Sequence, residues 1–260
     1  MSTRFLNGVL HPGDTSWSDD QGRTLGLGVF ETLALQAGSP LHGERHLARI
    51  RQGAAALLLP SSPHVDTLIR DTETLVRTLG RQEGAVRWTW TAGDGDLAVI
   101  TIHCRDIPDS VAERAQGVHG HSLPGPMPLA GLKTTSRAAW VVAQRTAEAN
   151  VPEPAEALFV TASGEVLEGT RSNVFARFPD GWITPPLDGR VLPGVTRDRL
   201  IHWLREQGHR VHEARLERSA LLEASAVILT GSLVGTAPLL TLDGRPLETR
   251  DLGEVSEFPR

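Results

Sequence analysis

Between His119 and Leu132 the chain reads HGHSLPGPMPLAGL, with three prolines and three glycines in fourteen residues. Proline lacks the amide donor that a helix interior or a central strand needs, and glycine adds backbone freedom that regular structure must give up. No long element is expected to run through such a stretch. It divides the 260-residue chain into two parts, each long enough to bury a core of its own. The expected organisation is an N-terminal α+β domain over 1–118, a linker over 119–132 and a C-terminal α+β domain over 133–260. A site is expected in the crevice between them.

Periodicity supplies the elements on either side. Val29–Leu35 reads as a strand, Arg45–Leu59 as an amphipathic helix ended near Pro60, and Pro63–Leu79 as a second helix stopped by Gly80. Ala85–Thr91 and Leu97–Cys104 are strands, and Gly93-Asp94-Gly95-Asp96 between them is a hairpin signal. Beyond the linker, Ser136–Asn150 and Thr196–Gln207 read as helices. Strands are expected at Ala155–Thr161, Val166–Glu168, Asn173–Phe178, His209–Ala214 and Ala226–Leu229. The order is not a βαβ alternation, and no glycine-rich strand-to-helix turn of the dinucleotide type is present.

The net charge is −5 and the charges are interleaved, so no basic stripe points to nucleic acid. The single cysteine, Cys104, excludes an internal disulfide and sits in an alternating apolar run, which suits a core or half-buried strand position. No apolar run reaches the roughly 20 residues of a membrane helix, and the N-terminus has no signal-peptide apolar region. A cytoplasmic protein without a membrane partner is expected. His119 and His121 alternate with no third ligand nearby, so no metal site is expected there.

Of the 26 Lys and Arg residues only Lys133 is lysine. Arginine replaces lysine in ion pairs and phosphate contacts, but its guanidinium stays protonated and forms no imine with an aldehyde. A lysine kept in this background, at the linker exit, is a candidate for amine chemistry, and burial favours the neutral, nucleophilic form of such an amine. Glu168, in EVLEGTRSNVFA, could keep a pyridine nitrogen protonated. Gly194-Val195-Thr196-Arg197 opens a helix and offers backbone donors with the Thr196 hydroxyl, a cradle for phosphate. Gly231-Ser232 adds a further hydroxyl, and Arg49 lies on a helix from which it could reach a phosphate.

The order of these segments is more specific than any one of them. Gly28-Val29-Phe30-Glu31-Thr32-Leu33, His46-x-x-Arg49, Lys133, Glu168-Gly169-x-x-x-Asn173-Val174-Phe175, Thr184-Pro185-Pro186, Leu192-Pro193-Gly194-Val195-Thr196-Arg197 and Gly231-Ser232 follow one another. The series resembles the class IV aminotransferase family, fold type IV of the pyridoxal-phosphate enzymes, from Asn7-Gly8 to about Pro238. The resemblance implies a two-domain α+β fold like that of D-amino-acid aminotransferase, with pyridoxal 5'-phosphate in the interdomain cleft. It implies that Lys133 carries the cofactor and shuttles protons, and that Glu168 stands beside the pyridine nitrogen. Arg49, Val195, Thr196 and Ser232 would hold the phosphate, and Leu192 would pack on the ring. A homodimer acting on a small molecule is implied as well.

Within the family the sequence leans toward 4-amino-4-deoxychorismate lyase, which releases pyruvate and gives 4-aminobenzoate for folate biosynthesis. Thr32 and the Lys133-Thr134-Thr135-Ser136-Arg137 run resemble the lyase pattern, and Thr32 is the second expected catalytic residue. Ala92 stands where many members have an arginine for a substrate carboxylate, so Arg87, Arg137 or Arg171 would supply that contact. Leu27 stands where the family usually has aspartate. The chain has no tyrosine, and the tyrosine that branched-chain and D-amino-acid aminotransferases place near the lysine is replaced by about Ala138. The alternative is a class IV aminotransferase acting on a branched-chain amino acid, a D-amino acid or an amine.

Overall fold

The computed structural model describes residues 3–6, 9–12, 20–94 and 97–259. The Asn7-Gly8 start of the family pattern and Gly95-Asp96 of the expected hairpin lie outside them. The chain forms two units, Met1–Ile107 with Leu132–Arg137, and Pro108–Gly131 with Ala138–Arg260.

This division departs from the expected boundaries. Residues 119–124, read as linker, belong to a strand of the second unit, and Lys133 is grouped with the first unit rather than the C-terminal one. Backbone pairing is the reason in both cases. Residues 119–124 pair with a parallel neighbour, and Lys133 is bonded to the first unit's sheet.

In the first unit, β1 (Thr3–Leu6), β2 (Val9–Pro12), β3 (Gly28–Gln36), β4 (Ser39–Pro40), β5 (Gly84–Asp94) and β6 (Leu97–Arg105) form an antiparallel sheet in the order β2-β1-β6-β5-β3-β4. Its helices are α1 (Gln21–Thr24), α2 (Gly43–Ala56) and α3 (Leu68–Thr78). Strand side chains alternate in direction, so Val29, Leu33 and Leu35 of β3 share a face with Val86, Trp88 and Trp90 of β5. These residues form one core with Leu47 and Ile50 of α2 and Leu68 and Leu75 of α3. Phe30, Thr32, Arg87 and Thr89 are left for the other face. The helix expected over Pro63–Leu79 is a 3-10 turn, Pro63–Thr67, followed by α3; the proline opens the turn because a first-turn amide needs no partner. Cys104 lies half-buried on β6, and burial pushes its thiol up to about 11.

The second unit adds α4 (Ser110–Gln116), β7 (Val118–Pro124), α5 (Ala138–Asn150), β8 (Ala155–Val160), β9 (Glu165–Gly169), β10 (Asn173–Phe178) and β11 (Gly181–Thr184). Next come α6 (Val195–Glu206), β12 (Val211–Glu213), β13 (Leu216–Glu217), β14 (Ala226–Gly231), β15 (Gly235–Leu242) and β16 (Arg245–Pro246). The strand path runs β12-β11-β10-β14-β15-β7-β8-β9-β13, and β9 also pairs with β10 through Glu168 and Asn173. That last pairing closes β10, β14, β15, β7, β8 and β9 into a ring. Strands β7 and β8 are parallel with α5 between them, and β11 and β12 are parallel with α6 between them, two crossovers that the sequence did not show. Both β7 and β15 contain residues that weigh against a strand, Gly120 and Pro124 in one and Pro238 in the other. Pairing on both sides, β15 and β8 for β7 and β14 and β7 for β15, overrides that local preference.

Candidate active site

In the first unit Lys133 is placed by backbone pairing. Strand β4 occupies only the Leu35–Gln36 end of β3, which leaves the rest of that edge for another segment. Residues 133–135 take it. The Phe30 amide donates to the Lys133 carbonyl at 2.9 Å, the Thr135 amide to the Gly28 carbonyl at 2.8 Å, and Thr134 bridges Val29. The Thr135 hydroxyl adds a bond to the Gly26 carbonyl at 2.7 Å. Lys133 Nζ then lies 4.8 Å from the centre of the Phe30 ring. The guanidinium of Arg87 lies 3.7 Å from the same ring, and Arg87 is the direct cross-strand partner of Thr32. The structure thus brings Lys133, Phe30, Thr32 and Arg87 together. Burial, and after it the charge of Arg105, lower the pKa of Arg87.

Arg49 has a different surrounding. Its Nε donates to Glu31 Oε1 at 2.7 Å and its Nη2 to Glu31 Oε2 at 2.6 Å, and His46 Nδ1 lies 2.6 Å from that same Oε2. Burial alone would raise the Glu31 carboxyl, but the charge of Arg49 and the bonds from Arg49 and His46 overcome it and hold the group at about 2. Burial lowers His46, against the opposing pull of Glu31. Arg137 is half-buried at the end of the first unit's second segment.

In the second unit the expected site residues gather at one end of the strand ring. Glu168 is the last residue but one of β9, Asn173 begins β10, and Thr230 on β14 is the register partner of Asn173. Glu168 Oε2 accepts from the Leu192 amide at 2.9 Å, and Asn173 Nδ2 donates to the Leu192 carbonyl at 2.9 Å. The two side chains clamp Leu192 from both sides of its backbone and so fix the loop that leads into α6. Gly194 caps α6 with no side chain bonded to the first turn. A Cβ at Gly194 would stand 2.0 Å from Asn173 Oδ1, so only glycine fits beneath the clamp. Val195 and Thr196, both buried, open the helix, where backbone amides and the helix dipole favour an anion. Ser232 sits in the tight turn between β14 and β15.

Two buried hydroxyls support a polar ligand. Thr134, beside the lysine, and Thr230, two residues before Ser232, are 1% and 2% exposed, and neither hydroxyl has a hydrogen-bond partner among the described residues. Buried hydroxyls without partners are costly, and a bound polar group would relieve the cost. Taken unit by unit, the donors suit parts of a phosphorylated pyridine aldehyde: an amine in the first unit, and in the second a buried carboxylate and the helix N-terminus at Val195-Thr196. Arg171 stands apart on an exposed position, with its guanidinium 3.8 Å from Glu148.

Sequence reasoning missed the residues that shape these groups. Glu156 is fully buried and bonded to Arg114, to the Arg171 amide at 2.9 Å and to the Ser172 hydroxyl at 2.8 Å, which sets the turn between Glu168 and Asn173. A carboxylate inside the apolar strand AEALFV was the available signal. Glu31 and the clamp role of Asn173 were also missed, although both stood inside the quoted motifs.

The chain matches the family model described as amino-transferase class IV over residues 28–241. A Mycobacterium tuberculosis protein named bifunctional aminodeoxychorismate lyase / D-amino acid transaminase is 29% identical, across 95% of this chain and 93% of its own length. An aminodeoxychorismate lyase of Bacillus subtilis is 28% identical, across 86% of this chain and 80% of its own. Branched-chain-amino-acid and D-alanine aminotransferases are also among the relatives. Among solved structures, a hypothetical aminotransferase from Mycobacterium tuberculosis in its PLP-bound form has a TM-score of 0.89 at 28% identity, covering 97% of this chain and 95% of that one.

Proposed function

The chain belongs to the amino-transferase class IV family, and on that basis we propose that it is a 4-amino-4-deoxychorismate lyase. It is an enzyme of the pyridoxal-phosphate class with the α+β architecture of the fold IV transaminases, and pyridoxal phosphate is its cofactor. One observation carries the finer reading. The Thr32 position faces Arg87 across the ladder, and both lie with Phe30 and the Lys133 amine in a chain that has no tyrosine.

When bound, the cofactor supplies an electron sink for charge developing at the substrate carbon. In this reading Lys133 carries it covalently, and Glu168 keeps a proton on its ring nitrogen. Arg49, the Val195 amide, and the Thr196 and Ser232 hydroxyls would hold its phosphate, and Leu192 would pack on the ring. The Lys133 amine would take the proton from the substrate's ring carbon, with the Thr32 hydroxyl assisting. The carbon–oxygen bond to the enolpyruvyl group breaks with its electron pair on oxygen. Return of a proton to the released enol gives pyruvate, and the remaining ring is 4-aminobenzoate. No oxidant or reductant is required. Arg87 takes a substrate carboxylate, ahead of Arg137 and of the exposed Arg171.

The test is incubation of the holoenzyme with 4-amino-4-deoxychorismate and no keto acid. Equal amounts of pyruvate and 4-aminobenzoate are expected. The second reading is a transaminase, supported by the aminotransferase names among the relatives. It predicts no pyruvate in that assay, together with conversion of the bound cofactor to its amine form by an amino donor.

A further inference from the structure

We infer that Glu31 is a positioning residue for the cofactor phosphate, because it sets the plane of the Arg49 guanidinium. The inference rests on the reading that Arg49 takes the phosphate. Glu31 lies on the core face of β3, between Val29 and Leu33, and is 0% exposed. It grips Arg49 by the Nε and Nη2 edge with two bonds of 2.7 and 2.6 Å. A guanidinium is planar and rigid, so a two-point grip on one edge also fixes the direction of Nη1 on the other. The side chain of Arg49 is 10% exposed, and so the orientation is set in the interior rather than by solvent.

His46 secures the carboxylate in turn. It precedes Arg49 by three residues on α2, a spacing that puts both on one helix face. An ionised carboxylate can only accept, so the 2.6 Å contact requires that His46 Nδ1 carry the proton and donate it. Both Glu31 oxygens are therefore engaged, and the carboxylate cannot rotate without breaking several bonds at once. Buried ion pairs are a poor source of stability but a good source of orientation. A phosphate-binding arginine needs the second of these.

The experiment compares pyridoxal phosphate with pyridoxal, which lacks the phosphate. Dissociation constants for both are measured on the full-length apoenzyme of the wild type, Arg49→Ala, Glu31→Gln and Arg49→Lys. Arg49→Ala should lower the preference for the phosphorylated form at least ten-fold. If it leaves that preference unchanged, Arg49 does not bind the phosphate and the underlying reading fails. Glu31→Gln should lower the same preference several-fold while pyridoxal binding stays within two-fold of wild type. A purely structural role would weaken both ligands alike. If Arg49→Ala shifts the preference and Glu31→Gln does not, the inference is overturned. Should Glu31→Gln fail to fold, Arg49→Lys decides, since it keeps the charge and loses the fork. A wild-type preference in Arg49→Lys would show that the plane does not matter.

Discussion

The two units hold their candidate functional groups by different means. In the first, Lys133, Thr32 and Arg87 are side chains at regular positions on a strand ladder or beside it, and Arg49 is on a regular helix. In the second, the groups are carried by a loop and a helix start, Leu192 to Thr196, whose backbone at Leu192 is held by the Glu168 and Asn173 side chains. A strand or helix position tolerates change nearby, because the ladder sets it independently. A clamped loop does not. Substitutions in the first unit should therefore act on chemistry or charge, and those in the second on geometry.

The largest expected effect is at Lys133. Lys133→Ala or Lys133→Arg should remove the covalent cofactor, read as loss of the visible absorbance after gel filtration, and should cut activity by at least about 10²–10⁴-fold. Thermal stability should move little, as expected of a group held by its backbone. Retention of a borohydride-reducible cofactor in Lys133→Ala would sink the assignment.

Next comes Arg114→Ala in the second unit. It leaves the fully buried Glu156 carboxylate without its cation, at a cost of about 3–5 kcal/mol. Denaturant unfolding should show that loss, and cofactor affinity should fall with it because Glu156 shapes the turn between Glu168 and Asn173. Unchanged affinity would break the geometric half of the comparison.

Glu31 contributes a pH-dependent term in the first unit. Its folded pKa of about 2 lies below the ordinary 4.5, so on acidification the unfolded chain takes up the proton first. The contribution, on the order of 3 kcal/mol, is complete above about pH 4.5 and is lost as pH falls toward 2. In denaturant titrations from pH 7 down to 3, the stability gap between wild type and Glu31→Gln should narrow. A constant gap would contradict the ion-pair account.

The smallest effect is expected from Gly194→Ala. Its methyl meets Asn173 Oδ1, and displacing the clamp should cost about 1–3 kcal/mol. Cofactor release should quicken, while the Lys133 absorbance remains at saturating cofactor. Wild-type release would mean that the loop is held by something other than the clamp.

Much of this was legible because it is local. The apolar alternation of Val29 to Leu35 predicts β3, the His46-x-x-Arg49 spacing predicts one helix face, and Gly194 before Val195-Thr196 predicts a helix start. What could not be read depends on partners far away in the chain. Strand β7 carries two residues that oppose strand formation and exists because β8 and β15 flank it. Glu156 looks like a misplaced acid until Arg114 and Ser172 supply its partners.

The Lys133 assignment shows the same division. The amino-acid sequence by itself determined that one amine is available for covalent chemistry, because a chain of 25 arginines and one lysine offers no other lysine side chain. It also determined the order of acid, loop and helix start that marks the family. Only the tertiary structure decided which unit the lysine joins. The proline-rich segment before it suggested the C-terminal part, whereas two backbone bonds to β3, one at Lys133 and one at Thr135, tie that segment to the first sheet. Local residue types set what chemistry a side chain can do, and long-range backbone pairing sets where that side chain is held.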